Sequence, residues 1–119
     1  IKTTIITIVL LLAVNMNGQL FDKNPTKLRF TKASTKLQQS PFTLKRKVVH
    51  LVTYDTTQLK VQTQKKYKVF VYTSDPKRTT YNGVMFWKIQ TNQQAIIWIS
   101  HDKRFIMFEE NELLTTLYN

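Results

Sequence analysis

The chain of 119 residues carries 18 Lys and Arg against 7 Asp and Glu, a formal charge of +11, with 42% hydrophobic and 12% aromatic residues. That length fits one domain, and the apolar content excludes a disordered or acidic solvating chain, which lacks the surface to bury. The absence of Cys removes disulfides, thiolate metal clusters and a thiol nucleophile, and 2 Gly with 3 Pro remove collagen-like and Gly-rich classes.

At the start of the chain Lys2 precedes an apolar run from Ile5 to Val14, broken only by Thr7, and the polar Asn15-Met16-Asn17-Gly18 follows. One cation, a short apolar stretch and a terminal small residue make the three-part pattern of a secretory signal peptide. The run is shorter than the roughly 20 apolar residues a spanning helix needs. The expectation is therefore a signal peptide over residues 1–18, a single β domain over 19–119, and a secreted or periplasmic product with no membrane span. A buried strand or helix, or an uncleaved anchor, is the alternative.

Beyond that point Thr, Val, Ile, Tyr, Phe and Trp crowd into short alternating runs, the pattern of strands with one buried face. Lys27 to Ala33 alternates Leu28 and Phe30 against Arg29 and Thr31. In the long run from Phe42 to Tyr54, Phe42 and Leu44 oppose Thr43, Lys45 and Lys47. Arg46 and the Val48-Val49 pair then break the period. Such a break predicts a bulge or a bend that carries the strand from one sheet into another.

Leu59 to Gln64 and Tyr67 to Thr73 read as a hairpin or one long strand, and Ser74-Asp75-Pro76-Lys77 as a turn. Asn82-Gly83 between Tyr81 and Val84 is a hairpin signal, because a type I′ turn needs positive φ at both central residues. The runs 84–90, 95–100 and 105–110, joined by short polar links, predict an antiparallel meander. The stretch from Glu109 to Tyr118 reads as a helical turn or a last strand. The whole predicts an all-β domain, a small antiparallel barrel or rolled sheet of six to seven strands. Its predicted core takes Leu59, Val61, Val69, Val71, Met85, Trp87, Ile97, Ile99, Ile106 and Phe108, with Trp98 beside Trp87 in the interior.

Chemistry-bearing groups are sparse. His101 beside Asp102 reads as an Asp-containing turn, since neighbours in sequence rarely orient each other and no serine elbow accompanies them. His50 has no second ligand at a metal-binding spacing. Glu110 and Glu112 share a strand face while Glu109 points the other way, which reads as a solvated chain end. No phosphate-loop, dinucleotide or zinc-protease motif occurs. The reading is non-enzymatic, with no catalytic residue, cofactor or metal.

The basic residues are the one global signal. Lys45, Arg46 and Lys47 at the predicted bend, and Lys65, Lys66 and Lys68 around the next turn, can fall on one side of a rolled sheet and form a polyanion-binding face. The functional expectation is an exported basic binding or accessory domain with an anionic partner: a polymer, a lipid surface or an acidic protein. Export disfavours nucleic acid. A ligand-carrying barrel or small hydrolase with an interior pocket, an inhibitor of a secreted protein, and lysines that serve only solubility and edge protection are the competing readings.

Overall fold

A computed structural model describes Leu20, Phe21 and residues 24–119; the expected signal peptide at 1–18 lies outside the described residues. In chain order the strands are β1 (Thr26–Phe30), β2 (Lys32–Leu37), β3 (Thr43–Arg46), β4 (His50–Tyr54), β5 (Gln58–Gln62), β6 (Tyr67–Val71), β7 (Lys77–Tyr81), β8 (Val84–Gln90), β9 (Ala95–Ser100), β10 (Ile106–Glu110) and β11 (Leu113–Tyr118). All pairings are antiparallel, and they build a four-stranded sheet, β1-β4-β5-β6, and a seven-stranded sheet, β3-β2-β11-β10-β9-β8-β7.

The all-β, antiparallel expectation holds, while the small barrel or rolled sheet of six to seven strands is corrected, among the described residues, to eleven strands in two sheets with no closed barrel. The larger count arises because two long runs are each shared between the sheets and because 77–81 and 113–118 are strands as well. Lys27–Ala33 divides at Thr31 into β1 and β2, and Phe42–Tyr54 divides at Lys47–Val49 into β3 and β4. Closure fails because β6 meets β8 through a single bridge, Tyr72 to Thr91, rather than a ladder. The Thr73 amide donates to the Gln90 carbonyl at 2.8 Å and the Asn92 amide to the Val71 carbonyl at 3.0 Å, which fixes that corner.

The other corner is one continuous hairpin. Phe30 lies opposite His50 and Ala33 opposite Arg46, so Thr31 and Lys32 face the longer segment Lys47-Val48-Val49. That extra residue is the bulge expected from the broken period, and it sits at the passage from one sheet to the other. The His50 ring Nδ1 donates to the Val48 carbonyl at 3.0 Å and holds the bulged backbone. Asn82 and Gly83, with φ of 50° and 77°, form the expected two-residue turn between β7 and β8. The 59–64 and 67–73 runs form a hairpin, and the last segment is the strand β11.

Between the sheets Phe30, Val52, Tyr54, Leu59 and Phe70 meet Trp87, Ile89, Ile97, Ile99, Ile106, Phe108 and Leu117, joined by Leu20. The predicted Leu59, Trp87, Ile97, Ile99, Ile106 and Phe108 are buried there, and Val61 packs partly buried against them. Val69, Val71 and Met85 are corrections. On β6 it is Phe70 that points inward and stacks on Phe108 at 5.4 Å, which turns Val69 and Val71 to the outer face and leaves Val71 42% exposed. Both faces of that strand are apolar, and the larger ring fills the gap between sheets. Met85 lies beyond the overlapped region, on the rim of a cleft with Leu20 and Trp87.

Trp98 is also corrected. It faces away from Trp87, in a second cluster with Phe86 and Met107 on the outer surface of the seven-stranded sheet. The Lys88 ammonium sits 4.8 Å from its ring centre and the Glu109 carboxylate accepts its indole N–H at 3.0 Å, so polar side chains cover the cluster. Truncation distinguishes the two faces of β6: Phe70→Ala should cost about 3–5 kcal/mol through the cavity it leaves. Val71→Ala should stay within about 0.5 kcal/mol, as exposed substitutions do. Urea unfolding of the two variants measures this; equal losses would contradict the inward assignment of Phe70.

Candidate functional site

The bulge delivers Arg46 and Lys47 to one end of the space between the sheets. The β5–β6 turn arrives from the other side. There the Thr63 amide donates to the Lys66 carbonyl at 2.8 Å, and the Thr63 hydroxyl oxygen accepts the Lys66 amide at 3.0 Å and the Lys65 amide at 3.4 Å. A threonine placed to receive these amides makes the turn tight. Lys65 and Lys66 are thereby held facing the bulge.

Together the two segments enclose a cleft of about 510 Å³ lined by Arg46, Lys47, Val48, Val49, His50, Thr63, Gln64, Lys65 and Lys66. No carboxylate lines it, and among the described residues the ion pairs are Lys68–Glu110 and Arg104–Asp102, neither of which involves its cations. Of the six basic residues expected on one face, Arg46, Lys47, Lys65 and Lys66 are brought together. Lys45 is not: it sits opposite Ser34, on the face of β3 turned away from Arg46. Lys68 is close by but spoken for, its ammonium 2.7 Å from the Glu110 carboxylate across the two sheets.

Beside this cleft lies a smaller and more open depression of about 150 Å³ at the edge of the core. It is bordered by Val61, Thr115, the Lys68–Glu110 pair and the edges of the buried Phe70, Phe108 and Leu117, with the Lys68 ammonium 5.0 Å from the Phe70 ring centre. His50, Thr63 and Lys66 belong to the walls of both spaces. The two depressions are therefore contiguous.

A second basic surface escapes the reading of charge clusters along the sequence. On the outer face of the four-stranded sheet Lys27 and Arg29 of β1 and Lys60 of β5 surround a shallow depression with Leu51, Gln62 and Tyr67. Lys27, Thr53 and Lys60 share one cross-strand row, and Arg29, Leu51 and Gln62 the next. The signal was the alternation of Lys27 and Arg29 with Leu28, legible as one strand's polar face but not as the neighbour of Lys60. Gln62 lines this depression and Thr63 lines the cleft, so the two basic surfaces meet at the β5–β6 turn.

The remaining polar groups support turns. Asp102 accepts the Ser100 hydroxyl at 2.8 Å and the Arg104 amide at 3.1 Å, while His101 stacks on Trp87 at 4.8 Å rather than on Asp102. Glu110 pairs with Lys68, and Glu112 lies in the turn before β11. Among the described residues no three His, Asp or Glu side chains stand close enough to hold a metal ion, and no helix is long and apolar enough to cross a membrane. No family model, curated protein or solved structure matches this chain.

Two carboxylates tie the fold to pH. The hydrogen bond from the Ser100 hydroxyl, then that from the Arg104 amide, holds Asp102 below the usual carboxylate range. The Thr57 amide does the same for Asp55; burial opposes it, and the Gln58 amide and the Thr57 hydroxyl add to the lowering. A folded-state pKa below the unfolded one stabilises the fold above the unfolded value and loses that contribution as pH falls through the folded value. The melting temperature should therefore drop below about pH 4, where free carboxylates titrate. The Asp55→Asn, Asp102→Asn double variant should lose less over the same range in a thermal melt series. An identical acid slope would contradict the assignment.

Proposed function

We propose that this domain is an exported, non-enzymatic binding module that captures an anionic partner at the cleft between the bulge and the β5–β6 turn. One observation carries the reading: Arg46 and Lys47 converge with Lys65 and Lys66 around a concave space that no carboxylate lines. Cations gathered in a cleft raise the local potential more than the same charges scattered on a convex surface, because the low-dielectric walls focus the field.

The adjoining surface of Lys27, Arg29 and Lys60 extends the positive field for a longer anion. Other cations fit edge protection better: Lys45 lies on the edge strand β3, and Lys77 and Arg78 on the edge strand β7. The export component rests on Lys2 and the Ile5–Val14 run.

Heparin affinity chromatography across a salt gradient tests the reading, because exposed charges are screened over about 8 Å at physiological ionic strength. The Arg46→Gln, Lys47→Gln, Lys65→Gln, Lys66→Gln variant should elute at clearly lower salt than the wild type. Lys45→Gln should elute close to the wild type, and the melting temperatures should stay near one another, since exposed charges contribute little to stability. Equal elution of the quadruple variant and the wild type would overturn the reading and leave the lysines as a solubility device.

A further inference from the structure

The apolar surface that the two sheets leave uncovered is not spread evenly. Of the eleven large apolar side chains exposed among the described residues, six lie on or beside the β2–β3 hairpin: Leu37, Phe42, Leu44, Val48, Val49 and Leu113. Strand alternation puts four of these on one face. Ala33 of β2 and Leu117 of β11 lie opposite each other and are buried in the core, so Leu37 and Leu113, an even number of steps along, share that inner face. Leu44 joins them through its pairing with Thr35, and Phe42 stands two residues before it. The four-stranded sheet does not reach this end, and all four side chains stay exposed. β3 is also an edge strand, whose outer side has no neighbouring strand among the described residues. Apolar residues on such an edge invite pairing. By contrast β7, the opposite edge of the same sheet, carries Lys77, Arg78, Thr79 and Thr80 and no aliphatic side chain.

We propose that β3 takes up an extended segment of an acidic protein as a further strand of the seven-stranded sheet, with apolar side chains of that segment over Phe42 and Leu44 and its carboxylates beside Lys45 and Arg46. Charge selects this occupant. From Lys32 to Val49 the chain carries five basic residues and no Asp or Glu, so a second copy paired through β3 sets like charges against each other across the strands, which is destabilising. The cations that keep copies of this chain off the edge therefore admit a strand of opposite sign. Arg46 is where the edge meets the cleft: it shares the inner face with Leu44 and lines the space that Lys65 and Lys66 close from the other side. The proposal rests on the reading of the cleft as an anion site and adds the class of the partner and its conformation. An antiparallel partner reads, from its amino end, acidic opposite Arg46, acidic opposite Lys45, apolar opposite Leu44, polar opposite Thr43 and apolar opposite Phe42. Main-chain hydrogen bonds supply affinity in such strand addition, and the alternate side chains supply specificity.

Titration calorimetry of the wild-type protein with the acetylated, amidated peptide Thr-Glu-Glu-Val-Thr-Val-Thr tests this against the rearranged Glu-Thr-Thr-Val-Val-Thr-Glu, which keeps composition and charge but loses the alternation. The first peptide should bind at least tenfold more tightly. The Phe42→Ser, Leu44→Thr variant, altered only at exposed positions, should weaken the first peptide at least tenfold while leaving heparin elution and the melting temperature unchanged. The quadruple cleft variant should weaken both peptide and heparin binding. Equal affinity for the two peptides, or no loss in the Phe42→Ser, Leu44→Thr variant, with heparin retention still dependent on the cleft cations, would overturn strand addition at β3 and leave the anion site standing. A dimer in analytical ultracentrifugation that the same variant abolishes would overturn the acidic partner in favour of a second copy. Heparin retention independent of the cleft cations would overturn the anion reading and this proposal with it.

Discussion

A hairpin that must belong to two sheets at once sets the terms for the rest of this fold. Phe30 and Ala33 both point into the core although an odd number of steps separates them, while Arg46 and His50 keep an even spacing. Strand side chains alternate with a period of two, so the two arms can stay paired on both sides of the corner only if one carries an additional residue. The Lys47-Val48-Val49 segment carries it. From that local mismatch follow the separation of β1 from β2 and β3 from β4, the two-sheet architecture, and the position of two cations at the mouth of the intersheet space.

The core and the cleft are two ends of the same gap. Where large side chains from both sheets meet, as Phe70 and Phe108 do, the gap is filled. Where the strands diverge towards the bulge and the β5–β6 turn, the inward positions become Arg46, His50, Thr63 and Lys66, and the gap opens to solvent. Hydrophobic burial holds the sheets together along most of their length. The Lys68–Glu110 pair lies at the boundary. With side chains 44% and 36% exposed it contributes at most about 1 kcal/mol, and marks where apolar packing gives way to charge.

Much of this was legible in particular residues. Asn82-Gly83 announced its turn because few sequences tolerate two consecutive positive φ values, and Val48-Val49 announced the sheet crossing by interrupting a period. The meander of β8, β9 and β10 followed from short polar links. What was not legible depends on which of two apolar faces wins. In Tyr67-Lys68-Val69-Phe70-Val71-Tyr72 both registers present hydrophobic side chains, and only the opposing Phe108 decides for Phe70. Trp98 went outward for a related reason: β9 is apolar on both faces, and Lys88 and Glu109 on its neighbours supply a polar cover that sequence order does not reveal. Lys68 could be counted among the cations but not matched to Glu110, which lies 42 residues away.

Phe42 and Leu44 show the limit of periodicity from another side. They alternate as a buried strand face should, yet they are 83% and 60% exposed, since β3 lies at the edge of the seven-stranded sheet. Alternation reports which residues share a face, and the arrangement of the other sheet decides whether that face is covered. The same arrangement creates the cleft, and so the convergence of its two walls is the claim on which the functional account stands. The chain has no Cys, so the Lys47→Cys, Lys65→Cys variant can be spin-labelled at those two positions alone and the separation read by pulsed electron paramagnetic resonance. The account predicts a single narrow distribution at the short end of the measurable range. A broad distribution, or one centred at a separation comparable to the length of the sheets, would contradict it.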